Sequence, residues 1–229
     1  MLILAFDTSG KTASVALIRD DLILYDVLIN SGLNHSEVLL PAIHQALAQT
    51  GIKITDIDLF ACTIGPGSFT GLRIGASTMK GLILAAQKPV AGVSSLEALA
   101  LNISPTPKKI CALMDAGRGQ VYIAYFKYEK NGLMERVDED RVLNPSQIKI
   151  EVEEEEVIFV GDGAVKFADL LCRTHPPKAA IAPTAKQYIR ASSVALLGRR
   201  KYQRNELVDA STFIPVYLRS HDAHVKKAS

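Results

Sequence analysis

Ile110-Cys111-Ala112-Leu113-Met114-Asp115 repeats, 108 residues on, the pattern of Leu2-Ile3-Leu4-Ala5-Phe6-Asp7: an apolar run of strand length closed by an aspartate. A small-residue turn with one base follows each, with Lys11 in the first and Arg118 in the second. Each turn leads into a second apolar run, Ala13 to Ile18 or Gln120 to Tyr128, and then a third, Leu22 to Ile29 or Leu133 to Leu143. Strand, aspartate, turn, strand, strand occurs twice, so the chain reads as an internal duplication. Ser104-Pro105-Thr106-Pro107-Lys108-Lys109 is the linker between the copies. It divides the chain into 1–105, 106–220 and a mobile tail, 221–229.

Between the strand triplets the sequence alternates helix and strand. Val38, Leu39, Ala42, Ile43, Ala46 and Leu47 recur at helical spacing, with Ser36 as cap and Gly51 as stop. Leu59 to Ile64 is a nearly continuous apolar strand, as expected when both faces of a sheet are covered. A helix over Leu72 to Gln87, a strand over Val90 to Val93 and a helix over Ser95 to Asn102 complete the first half. In the second half, Val157 to Val160 reads as a strand, with helices over Ala164 to Cys172 and Ser192 to Arg204. Gly198 weakens the last of these. The pattern is α/β, with mixed sheets flanked by helices.

Composition excludes several classes. The 229 residues are 48% hydrophobic and 22% charged, which fits an ordinary globular protein. No apolar run approaches the ~20 residues needed to span a bilayer. Met1 to Asp7 lacks a basic leader and is not a signal peptide. Three cysteines without a Cys-x-x-Cys spacing oppose a disulfide framework and a zinc cluster. Cys62 and Cys111 read as buried thiols in a reducing, cytoplasmic protein. Charge is uneven: residues 129–169 carry 12 acids and 5 bases, and residues 173–229 carry 11 bases and 3 acids. The basic end either meets an acidic partner such as RNA or is a solvated face and tail. Glu151 to Glu156 is a surface acid cluster rather than a metal site.

Ligands of α/β sheets bind outside the carboxyl ends of strands, where Asp7 and Asp115 both stand. Thr8, Ser9 and Lys11, with Asp115 and Arg118, either contact a nucleotide there or only shape tight turns. Gly65-Pro66-Gly67-Ser68-Phe69-Thr70-Gly71 is the most distinctive stretch. Its glycines allow close backbone approach, Ser68 or Thr70 can cap the next helix, and a helix start favours an anion. The Walker spacing is absent. Phe69 reads as an anchor before a base-stacking platform. Gly71, Gly75 and Gly81 lie within a helix at about 1 kcal/mol each relative to alanine, which implies tight packing on a strand beneath or on a partner helix. His35 and Glu37 stand two apart, the wrong spacing for one metal face. No nucleophile elbow and no paired metal ligands are visible.

Asp7-Thr8-Ser9, Asn34-His35-Ser36-Glu37, Gly65 to Gly75 and Asp115-Ala116-Gly117-Arg118-Gly119 together resemble the TsaB (YeaZ) family of bacterial tRNA threonylcarbamoyladenosine biosynthesis. The resemblance implies the duplicated actin-like ATPase (ribonuclease H-like) fold. It also implies a role in making N6-threonylcarbamoyladenosine at position 37 of tRNAs reading ANN codons. The catalytic paralogue, TsaD, carries a His-x-x-x-His metal pair. Aligned on Gly92-Val93, those positions here are Ser95 and Leu99, with Glu97 between them. Serine is a poor ligand for a transition metal, and leucine is none.

The expected protein is thus a non-catalytic scaffold with no metal and no intrinsic cofactor. Its expected partners are the TsaD-like paralogue, a TsaE-like P-loop ATPase, and a second copy when it is alone. ATP or ADP is expected at the partner interface or on the partners, and tRNA mainly on the partners. The interface is expected over His35, Glu37, Leu39, Ile43, Phe69, Thr70, Leu72, Arg73, Gly75, Met79 and Leu82. On this reading Gly75→Leu blocks association and leaves a folded monomer, while Glu97→Ala does little. The competing functions are an independent ATP-dependent small-molecule kinase and, more remotely, a metalloprotease.

Overall fold

The computed structural model describes residues 1–151, 156–174, 178–208 and 213–218. The expected mobile tail and most of the acid cluster lie outside them. In the first half, β1 (Leu2–Asp7), β2 (Ala13–Arg19) and β3 (Leu22–Ile29) are followed by α1 (His35–Thr50), β4 (Leu59–Gly65), α2 (Phe69–Ala86), β5 (Val90–Ser94) and α3 (Ser95–Ala100). The second half runs β6 (Lys109–Gly117), β7 (Gln120–Tyr128), β8 (Met134–Arg136), β9 (Arg141–Leu143), β10 (Val157–Val160), α4 (Asp162–Lys166), α5 (Ala168–Thr174), β11 (Ala179–Ile181) and α6 (Ala191–Gln203).

The first sheet has the order β3-β2-β1-β4-β5 and the second β11-β10-β6-β7-β8, with β9 also on β7. The duplication is visible in the pairing. β1 lies antiparallel to β2 and parallel to β4, and β6 lies antiparallel to β7 and parallel to β10. β1 and β4 are buried on both faces, as their unbroken apolar runs require.

Helices α1 and α2 cover one face of the first sheet. Leu39, Ile43 and Met79 pack there on Leu4, Phe6, Val15 and Phe60. The other face is covered from the second half of the chain. Val194, Ala195 and Leu197 of α6 share a core with Ile3, Ala5, Leu59, Ala61 and Ala91. Gly198 is required by this contact, because a Cβ there would lie 2.6 Å from Ala61 Cβ. Conversely, α3 packs on β6 and β7. The chain therefore crosses between its halves in both directions.

Three expectations are corrected. The strand expected over Leu133 to Leu143 is two short ones. Asp138 Oδ1 accepts the Tyr125 N–H at 2.7 Å, so a side chain takes the place of a ladder carbonyl and the strand breaks. The helix expected over Ala164 to Cys172 is interrupted at Phe167, which leaves helical geometry at φ −111°. The first helix begins at His35 with Asn34 at its cap position rather than Ser36. Asn34 instead donates from Nδ2 to Glu37 Oε1 at 2.5 Å.

Candidate functional site

The carboxyl ends of both sheets meet at a cleft of about 760 Å³. Its walls are the Ser9-Gly10-Lys11 turn, Gly67-Ser68-Phe69, the Met114 to Arg118 turn with Tyr122 and Asp162, and Val216 to Leu218. Lys11 and Arg118 thus stand on one cleft as the repeat predicts, both exposed. The two aspartates that end the central strands have diverged.

Asp7 is fully buried. Its Oδ1 accepts the Ser9 N–H at 3.0 Å, the Ser9 hydroxyl at 2.6 Å and the Thr63 hydroxyl at 2.6 Å, and its Oδ2 meets no polar group. Burial pushes its carboxyl up despite these hydrogen bonds. The same burial, with the Asp7 charge adding, pushes the neighbouring Cys62 thiol well up, so it is an unreactive core thiol. Asp115 instead faces the cleft. Lys166 Nζ donates to it at 2.8 and 3.0 Å, and the Gly117 N–H at 3.0 Å. Partial burial alone would raise its carboxyl, but the Lys166 hydrogen bond and charge outweigh this and hold it below 3.8. Asp162 Oδ1 accepts the Asp115 N–H at 3.0 Å. Lys166 and Thr63 carried no signal in the sequence.

The rest of the first turn is committed to the fold. Thr8 is buried and its hydroxyl donates to the Gly71 carbonyl at 2.8 Å. The Ser68 N–H donates to the Ser9 carbonyl at 2.7 Å. Of the hydroxyl donors expected to meet a phosphate, that of Thr8 therefore serves the joint between this turn and the start of α2, and that of Ser9 is bonded to Asp7. That start is built as expected: the Ser68 side chain accepts the Gly71 N–H at 3.2 Å. His35 Nε2 donates to the Gly10 carbonyl at 2.9 Å, tying α1 to the same turn.

Beside the cleft lies a groove of about 470 Å³ between α1 and α2, lined by Leu39, Leu40, Phe69, Arg73, Ile74 and Ser77 among others. Of the expected interface residues, Glu37, Thr70 and Arg73 are exposed, and His35, Phe69 and Leu82 half-buried. Ile43, Leu72 and Met79 are buried in this chain, so their side chains are not available to a partner; Gly75 is buried as well, and Leu39, though 1% exposed, lines the groove. Sequence reading placed them on the face because apolar residues at helical spacing look alike whether they point inward or outward. It missed Leu40, 56% exposed and in the groove wall.

Ser95 and Leu99, the positions expected to correspond to a metal pair in the paralogue, are both buried. Leu99 lines a small cavity of about 20 Å³ with Asp7, Met114, Asp162 and Gln187. Among the described residues, no group of three His, Cys, Asp or Glu side chains is placed to hold a metal. No helix among them is long and apolar enough to cross a membrane.

The family model described as TsaD, tRNA N6-adenosine threonylcarbamoyltransferase, matches residues 30–227. A relative from Bacillus subtilis, "tRNA threonylcarbamoyladenosine biosynthesis protein TsaB", is 34% identical over 99% of this chain and 97% of its own length. The chain belongs to the TsaB branch of this family. The solved structure of YeaZ from Pseudomonas aeruginosa is similar, with a TM-score of 0.80 and 27% identity over 95% of this chain and 99% of that one. A hexokinase from Thermus thermophilus, 12% identical, has a TM-score of 0.50 over 89% of this chain and 100% of its own, a likeness of fold alone. The fold is the duplicated actin-like ATPase fold.

Proposed function

We propose that this chain is the partner subunit, without transferase chemistry of its own, in the complex that forms N6-threonylcarbamoyladenosine at position 37 of tRNAs reading ANN codons. A TsaD-like paralogue carries out the threonylcarbamoyl transfer. The observation that carries this reading is the place of Ser95 and Leu99: where the paralogue would hold its metal, this chain has a hydroxyl and an isobutyl group sealed in its core.

The Thr8 and Ser9 hydroxyls are bonded within the fold, which supports placing the nucleotide outside the first turn. ATP or ADP is accordingly held by the partners or where they meet this chain. The α1–α2 groove is the docking face for the paralogue, with Leu40 as an apolar contact and Arg73 as a charge that sets specificity. A TsaE-like P-loop ATPase joins the same assembly, a second copy takes the face when the paralogue is absent, and tRNA binds mainly to the partners. The setting is cytoplasmic.

The test is co-purification with the paralogue, followed by a tRNA modification assay that omits each component in turn. Modification is expected only when both chains are present. Turnover by this chain alone, or full activity without it, refutes the reading.

A further inference from the structure

After α6 the chain returns to the first sheet. Val208 pairs with Val90 at the edge of β5. Phe213 is 1% exposed in the core beneath α1 and α2. The Val216 N–H then donates to the Ile64 carbonyl at 2.7 Å, and the Val216 carbonyl lies against Gly65 so closely that any Cβ on Gly65 would collide with it. Gly65 also holds φ at 128°, which side-chain-bearing residues rarely adopt. The β4–α2 loop is thus shaped to receive this segment. Its other apolar side chains face outward: Ile214 is 63% exposed and Tyr217 39%. Val216, Tyr217 and Leu218 form one lip of the cleft.

Phe69, the first residue of α2, lines both the cleft and the α1–α2 groove. The Arg73 guanidinium stands over its ring, 3.8 Å from the centroid. The Tyr217 ring is 5.0 Å away at 41°. A cation over a ring and a tilted ring pair both attract, and here they share one phenyl group. Arg73 belongs to the groove and Tyr217 to the cleft lip, so Phe69 joins the two.

We propose that Phe213–Leu218 is a displaceable strap across the cleft, and that its hold is set from the α1–α2 groove through Arg73, Phe69 and Tyr217. Among the described residues the strap is fastened by one backbone hydrogen bond, one buried side chain and one ring contact. That places it at the low-stability end of local opening. A groove occupant whose carboxylate draws Arg73 off Phe69 weakens the ring stack and favours the open strap. By linkage, an open strap then favours that occupant by the same factor. The identity of the occupant rests on the docking reading above, but the coupling within this chain does not.

Amide hydrogen exchange of the full chain, without any partner, tests the coupling. The Val216 amide is the reporter and β1 the internal reference for an intact fold. Phe213→Ala removes the buried side chain that anchors the strap and is expected to speed exchange of the Val216 amide about tenfold or more. Arg73→Ala and Tyr217→Ala are each expected to speed it about threefold or more. In the Tyr217→Ala background, Arg73→Ala should add less than about twofold, because the path between them is already cut. All variants should leave β1 exchange unchanged. Should Phe213→Ala disturb β1, the Arg73 and Tyr217 pair decides alone. An unprotected Val216 amide in the parent chain, or an Arg73→Ala strap that exchanges as the parent does, overturns the proposal.

Discussion

Gly75 rests on Thr8: a Cβ at the glycine would lie 2.6 Å from the Thr8 hydroxyl, which is itself bonded to the Gly71 carbonyl one helical turn away. The two glycines let α2 descend onto the turn after β1. This corrects the expectation that Gly75→Leu disturbs only a partner contact. Leucine cannot be housed there without moving the turn, and overpacking of this kind costs about 1–3 kcal/mol or more. Thermal unfolding of the isolated chain should show it, at about 2–4 °C per kcal/mol for a chain of this size. An unchanged melting temperature would mean that the turn gives way freely.

A cleaner probe of the docking face is Leu40→Glu. Leu40 is 56% exposed and lines the groove, so the substitution should shift stability by less than about 0.5 kcal/mol. Affinity for the TsaD-like paralogue should fall about tenfold or more, since a carboxylate must be desolvated in an apolar contact. A binding titration paired with a melting curve checks both. Undiminished binding would move the interface elsewhere.

Asp115 and Lys166 predict a dependence on acidity. The folded-state carboxyl lies below the ordinary value of 3.8. Its stabilisation is therefore present above 3.8 and lost as pH falls through the lower, folded value. Lys166 is about half exposed, which limits the pair to about 1 kcal/mol. Lys166→Met should lower the urea midpoint at pH 7, and the gap from the parent chain should narrow as pH falls below 3.8. A gap that persists in acid would assign the loss to packing of the lysine stem.

Asp7 has the opposite sign. Burial raises its carboxyl, so the parent chain is favoured in acid, and that advantage is lost as pH rises through the folded value. Asparagine keeps the Oδ1 acceptor for Ser9 and Thr63 without a charge to bury. The stability of Asp7→Asn relative to the parent should therefore be greater at pH 7 than at pH 3, by denaturant titration at each. A difference that does not change with pH would show that Asp7 is not desolvated.

The reach of the sequence follows the range of the interactions. The repeat ending at Asp7 and Asp115 was legible because an apolar run closed by a turn is a local pattern, and β7 spans Gln120–Tyr128 as read. The cap at Ser68 and the stop at Gly51 were legible for the same reason. The sequence leaves the packing of Gly75 within the fold as only one of two alternatives, because its neighbour, Thr8, lies on another element and no local pattern records it. Lys166 gave no sign, since only the pairing of β10 with β6 brings α4 beside Asp115. The strap ending at Leu218 escaped notice because a single hydrogen bond to Ile64 leaves no periodicity behind it.

The packing of α6 on the first sheet has a bearing on biosynthesis. Strands β1 through β5 leave the ribosome by Ser94, yet the helix that covers their second face starts only at Ala191. For nearly half of translation the nascent chain presents Ile3, Ala5, Ala61 and Ala91 to solvent. Such a polypeptide is exposed to aggregation until α6 emerges, and holding chaperones have their natural target there. For the same reason, neither half expressed on its own closes both of its cores.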